Sequence, residues 1–170
     1  MRPIPDDVIS SLSEFVRIQT GLHFPREKWH DLRRSMCAAA SDFGFDSPET
    51  CARWLLSSSL SQEQMDLLVG RLTIGETFFF RDKMIFQTLR DHILSRRLHG
   101  STAGLEKLTF WSAGCCTGEE PYSLAILMDQ LMSLGNRLEG TIIGTDINPG
   151  FLQKARDGVY TRWSFRETPD

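Results

Sequence analysis

One stretch dictates most of what this chain can become. It runs LTFWSAGCCTGEEPYSLAILMDQLMSLGNRLEGTIIGTDI, starting at Leu108 and carrying Asp146 near its end. Residues 108–112 are apolar with aromatic and β-branched members, which predicts a buried strand. Gly114 and Gly118 bracket a tight turn. Pro121 falls where a first helical turn tolerates it, because the missing N–H would have no intrahelical partner there. From Tyr122, the residues Leu124, Ile126, Leu127, Met128 and Leu131 cover most of a helix, and Gly135 offers a stop. Residues 141–147 are strand-like again and bring Asp146 to a strand tip. Strand, turn, helix, strand is a βαβ unit, the building block of a parallel sheet that takes ligands at the carboxyl ends of its strands.

The turn restricts the ligand. A phosphate-binding βα turn would read G-x-G-x-x-G, with bare backbone N–H groups meeting an anion at a helix start. Here the spacing is G-x-x-x-G, and Glu119 and Glu120 follow at once. Two acids suit the positive end of a helix but repel a pyrophosphate. A cationic ligand without phosphate fits better, and S-adenosylmethionine (SAM), with its sulfonium, ammonium and ribose, is one. A carboxylate at the helix start would take the ammonium, and Asp146 the ribose hydroxyls. The same acids are equally compatible with a plain helix cap and with the opening of the next helix.

The rest of the chain divides in two. Val8, Ile9, Leu12, Phe15 and Val16 recur at helical spacing and Gly21 ends that helix. Pro25 opens a second helix, with Trp29, Leu32, Met36, Ala39, Ala40 and Phe43 inward and Gly44 as its stop. Ser47 and Pro48 start a third, and Ser61 with Gln64 forms a capping-box pattern before a fourth. Short helices with short connections predict a small all-α domain over 1–72. Residues 73–83 then join it to a second part, 84–170. Within the joint, Phe78, Phe79 and Phe80 are too apolar for a free linker and are expected to pack between the helical domain and the sheet. Thr77 and Arg81, four apart, share a face if the joint is helical. A helix over 84–95, a turn-rich connection over 96–104, a helix from Pro149 ending near Gly158, and a loop carrying Tyr160, Trp163 and Phe165 complete the reading.

Composition removes several classes of function. The 170 residues are 41 % hydrophobic and 24 % charged, with a net charge of −3. Residues 1–72 carry 8 Lys and Arg against 10 Asp and Glu, and 73–170 carry 11 against 12. This is no nucleic-acid footprint. No apolar run reaches the roughly 18 residues of a membrane span, and the N-terminal residues lack the pattern of a signal peptide. Cys37, Cys51, Cys115 and Cys116 form no C-x-x-C, so no metal site is expected and reduced thiols in a cytoplasmic setting fit best. Cys115 and Cys116 read as small residues in a crowded turn, or else as an oxidisable pair.

The run WSAGCCTGEEPYSLAI resembles the motif of the CheR family, SAM-dependent methyltransferases that esterify glutamate side chains of chemotaxis receptors. TFFFRD at 77–82 looks like the family's upstream signature, GTDIN at 144–148 like its second-strand motif, and KARDGVY at 154–160 like the segment after it. The resemblance implies an α/β fold: an N-terminal helical domain, then the first βαβα part of a Rossmann-like methyltransferase sheet, apparently truncated at Asp170. It implies SAM as cofactor and S-adenosylhomocysteine as product. It places Thr77, Arg81, Gly114, Glu120 and Asp146 at the cofactor, with Arg81 also catalytic and near the reacting methyl. A chemoreceptor or another signalling protein would be the methyl acceptor. The family usually has asparagine where Gly75 stands. Its basic docking helix corresponds here to a helix in which Arg26, Lys28, Arg33 and Arg34 are offset by Glu27, Asp31 and Asp42. A half-built sheet is expected to bind SAM weakly, to transfer no methyl on its own, and to favour self-association. A non-catalytic interaction module is the other class of function, and a dinucleotide enzyme is disfavoured by the turn.

Overall fold

The computed structural model describes residues 4–99, 106–134 and 138–168. The chain divides into two compact units, 1–74 and 75–170.

The first unit consists of helices α1 (Asp6–Thr20), α2 (Trp29–Asp42), α3 (Pro48–Ser57) and α4 (Gln62–Leu72), with a short 3₁₀ turn at Arg26–Lys28 leading into α2. Local signals set the helix ends. Gly21 takes the left-handed conformation (φ 76°) and its N–H closes on the Arg17 carbonyl at 2.9 Å. Ser61 and Gln64 cap α4 reciprocally: Ser61 Oγ accepts from the Gln64 N–H and Gln64 Oε1 from the Ser61 N–H. The apolar stripes converge on one core whose centre includes Ile9, Leu12, Leu32, Met36, Leu55 and Leu68, all fully buried. Burial of this kind contributes about 1.5–3 kcal/mol per large side chain. On the outside, Arg33 is paired with Asp6 and Arg34 with Asp31, so the cations of α2 are partly neutralised.

The second unit contains α5 (Lys83–His99), β1 (Glu106–Ala113), α6 (Glu119–Ser133), β2 (Leu138–Thr145) and α7 (Pro149–Asp157), followed by a 3₁₀ turn at Arg162–Phe165. The strands pair in parallel, with Leu108 opposite Gly140, Phe110 opposite Ile142 and Ser112 opposite Gly144. The face bearing Leu108, Phe110 and Ile142 packs on Leu124, Leu127, Met128 and Leu131 of α6 and on Phe86 and Ile93 of α5. The opposite face leaves Trp111 71 % and Ile143 47 % exposed. The fold is therefore helix-rich α/β with a small parallel sheet.

Several expected boundaries move. Both strands are longer than their apolar runs, because backbone pairing extends through Lys107, Glu139 and Gly140. β2 stops at Thr145, so Asp146 lies just past its end. α6 begins at Glu119, three residues before Tyr122, and ends at Ser133, so the Gly135 stop lies outside the described residues. α5 continues to His99, through the first residues of the expected turn-rich connection, whose later part is outside the described residues. The loop expected around Trp163 contains a 3₁₀ turn. The stretch 74–79 is not helical, so Thr77 and Arg81 share no helix face. The phenylalanines have their aromatic partners within the second unit: Phe79 stacks on Phe165 with centroids 4.4 Å apart and meets Tyr160 edge-on, and Phe80 meets Phe86 edge-on.

Candidate functional site

The turn after β1 is built by its backbone. The N–H groups of Gly114 and Cys115 both donate to the Thr145 carbonyl, at 2.7 and 2.9 Å, tying the ends of the two strands together. Gly114 (φ 75°), Cys116 (φ 49°) and Gly118 (φ 99°) all lie in the left-handed region. For Cys116 that conformation is uncommon and costs about 1–3 kcal/mol. Asp146 supports it: Oδ2 accepts from the Cys116 N–H and Oδ1 from the Asn148 N–H, both at 2.8 Å. Gly118 is required twice over, since an added Cβ would also lie 2.7 Å from Tyr160 Oη and 2.8 Å from Ala155 Cβ.

The two acids that open α6 face different surroundings. Glu119 is 3 % exposed. It accepts from the Thr117 hydroxyl at 2.6 Å and from the Ser164 hydroxyl at 2.9 Å, so it joins the turn to the C-terminal 3₁₀ segment. Glu120 is exposed and accepts at Oε1 from the buried Ser112 hydroxyl at 2.6 Å. Ser112, the last residue but one of β1, thus aims the Glu120 carboxylate.

A cavity of about 350 Å³ opens here, lined among others by Thr77, Phe78, Arg81, Gly114, Cys116 and Glu120. That volume is within the range of small-molecule sites. Arg81 is exposed, donates from Nη1 to the Glu76 carbonyl, and lies 6.0 Å from the centre of the Phe78 ring. Of the residues singled out from sequence, the cavity collects Thr77, Arg81, Gly114 and Glu120. Asp146 is not on its wall and instead sits against the backbone of the turn, using one lone pair on each oxygen. A carboxylate has about four such acceptor sites, so both oxygens keep capacity for a ligand.

Gly75 has a local reason. A Cβ there would lie 2.6 Å from Phe151 Cζ and 2.9 Å from Cys116 Sγ. In this packing there is no room for the asparagine of the motif. Sequence reading missed Ser112, Ser123 and Ser164. Ser123 Oγ accepts from the Phe80 N–H and donates to the Glu119 carbonyl, holding Phe80 in its left-handed conformation (φ 55°). A serine ending an apolar strand before a glycine turn was a usable signal for Ser112. Ser123 and Ser164 had none.

The thiols of the turn are quiet. Burial, reinforced by the nearby Asp146 carboxylate, pushes Cys115 up, and burial pushes Cys116 up. Burial likewise raises Cys51 to about 11, while Cys37 is exposed. A raised thiol pKa means less thiolate, the nucleophilic form; at pH 8 roughly one Cys51 in a thousand is ionised. An alkylating reagent at pH 8 is therefore expected to label Cys37 first, with Cys51, Cys115 and Cys116 far behind, as peptide mapping by mass spectrometry would show. Prior labelling of Cys115 or Cys116 would contradict this.

Among the described residues no cluster of His, Cys, Asp and Glu could hold a metal ion, and no helix is long and apolar enough to cross a membrane.

Comparison with known proteins identifies the family. Residues 75–170 match the family model described as CheR methyltransferase, SAM binding domain. The chain is 30 % identical over 110 residues to chemotaxis protein methyltransferase 2 of Vibrio cholerae, covering 65 % of this chain and 38 % of the relative. It is 38 % identical over 96 residues to the chemotaxis protein methyltransferase of Listeria innocua, covering 56 % and 34 %. It is 28 % identical over 160 residues to that of Borreliella burgdorferi, covering 92 % and 56 %. The chain thus spans from about a third to just over half the length of these relatives. With the family model covering more than half of its residues, the chain belongs to the CheR methyltransferase family, whose methyl donor is S-adenosylmethionine.

Proposed function

We propose that this chain contributes cofactor-binding residues to a protein-glutamate O-methyltransferase acting on chemoreceptors or related signalling proteins. In this reading 1–72 is an N-terminal helical domain, 73–83 contributes to the cofactor site, and 84–170 is the first part of a Rossmann-like methyltransferase sheet. The observation that carries it is the cavity beyond β1 that brings Glu120 and Arg81 together, with an acid where a phosphate-binding turn would have bare N–H groups.

SAM, when bound, supplies an electrophilic methyl on a sulfonium. The chain's own residues do the rest. Glu120, aimed by Ser112, holds the ammonium; Asp146 holds the ribose while bracing the turn; Gly114 lets the backbone approach the ligand; Thr77 closes the cavity wall. Arg81 orients the acceptor carboxylate with its planar fork. That carboxylate is already ionised at neutral pH, so the transfer needs no general base and relies on alignment. The uncovered Trp111 and Ile143 face of the sheet supports self-association of the chain taken alone.

Calorimetry with SAM, S-adenosylhomocysteine and NAD side by side tests the reading. Binding of either S-adenosyl compound, with no heat from NAD, is the expected result. Binding of NAD alone would replace it with a dinucleotide function, and binding of none would favour an interaction module.

A further inference from the structure

The stretch 76–81 carries Thr77 and Arg81 yet has no regular secondary structure. Its order must come from elsewhere, since an irregular segment is held only by its side-chain and backbone partners. Besides Ser123, which holds the Phe80 N–H, partners lie in the C-terminal 3₁₀ turn and at Arg166 just after it. The Phe79 N–H donates to the Ser164 carbonyl at 2.9 Å, and the Phe79 ring lies flat on Phe165, at 4.4 Å with planes 6° apart. Ser164 in turn anchors to the buried Glu119.

Arg166 makes the densest set of contacts. Its guanidinium lies 4.0 Å from the centre of the Phe78 ring and 4.7 Å from that of Trp163. Nη1 donates to the Trp163 carbonyl at 3.0 Å and reaches the Thr77 carbonyl at 3.5 Å, and Nη2 lies 3.6 Å from Glu76 Oε1. The Arg166 side chain is 18 % exposed and that of Glu76 69 %. The ion pair is thus on the solvent side and weak, whereas the contact over Phe78 is largely desolvated, where a cation–π contact is stronger. The Arg81 guanidinium lies 6.0 Å from the centre of the same ring, farther than that of Arg166.

We propose that Arg166 is a positioning residue for the segment that carries Arg81: by gripping Phe78 and the Thr77 carbonyl, it fixes where the Arg81 guanidinium stands in the cavity. This rests on the methyl-transfer reading of that cavity only for its functional consequence; the grip itself is a property of the chain.

Hydrogen exchange on this chain tests the grip directly. Arg166→Ala should speed exchange at Phe79 and Phe80 about tenfold, the scale of one partly buried cation–π contact, and leave Leu127 and Leu131 of α6 unchanged. Arg166→Lys keeps the charge near Glu76 but loses the flat stack, and should show a smaller increase at the same two amides. Unchanged exchange at Phe79 and Phe80, or an equal rise across α6, overturns the inference. In the methyl-transferring protein, Arg166→Ala should lower kcat about tenfold with the KM for SAM held, and should add little to Arg81→Ala, because one acts through the other. Full additivity would overturn it. If the protein transfers no methyl, the methyl-transfer reading falls and the exchange result alone decides the role of Arg166.

Discussion

Arg81→Ala is expected to lower methyl transfer on the proposed protein acceptor about a hundredfold, the scale set by misplacing a reacting group, while SAM binding stays within a few-fold. The Arg81 guanidinium is exposed on the wall of the cavity and, among the described residues, is held by the Glu76 carbonyl and lies near the Phe78 ring. It is therefore available to an incoming carboxylate and not committed to an internal salt bridge. A group that meets the acceptor in the transition state lowers kcat and kcat/KM together when removed. Arg81→Lys should recover little, since a bidentate contact with a carboxylate needs the planar fork. Steady-state kinetics with labelled SAM would measure both parameters. Normal turnover in the alanine variant would remove Arg81 from the reaction.

Glu120→Ala is expected to weaken SAM and S-adenosylhomocysteine by about 1–3 kcal/mol, the range for hydrogen bonds to charged groups. The Glu120 carboxylate is exposed at the cavity, held at one oxygen by Ser112. Removing it also strands the Ser112 hydroxyl, which is 1 % exposed, so the alanine variant is also expected to be less stable. Glu120→Gln separates the two effects, because the amide oxygen still accepts from Ser112 while the charge is gone. Calorimetry should rank wild type above glutamine above alanine. Asp146→Ala is expected to weaken the ligand as well, and in addition to loosen the turn by freeing the Cys116 and Asn148 N–H groups. Equal affinity in all variants would sink both assignments.

What the sequence made legible follows the range of the interactions concerned. Local signals sufficed for the capping box of Ser61 and Gln64, the left-handed ends at Gly21 and Gly158, and the Asn148–Pro149 start of α7. The βαβ unit was readable because its strand, turn and helix signals adjoin. The choice of Glu120 over Glu119 came from the family motif, and the structure adds a physical reason: Glu119 is buried against Thr117 and Ser164, forty-five residues apart from the latter. The anchors of Phe79, Phe80 and Thr77 were not readable, since Ser164, Ser123 and Arg166 are separated from them by forty-three to eighty-nine residues. Nor could periodicity reveal that Phe80 takes a positive φ, which the Ser123 contact supports.

The pairing of Glu119 with Glu120 has a consequence for how the turn can vary. Adjacent residues on a helix are roughly 100° apart around its axis, so one acid turns into the protein and the other out to the cavity. Ser123 and Leu127, four and eight residues beyond Glu119 on the same face of α6, are both buried, so the packing of the helix on the sheet keeps Glu119 inward and Glu120 outward. A residue inserted between Gly114 and Gly118 would be taken up by the loop, disturbing the backbone that Asp146 braces while the two acids keep their facing.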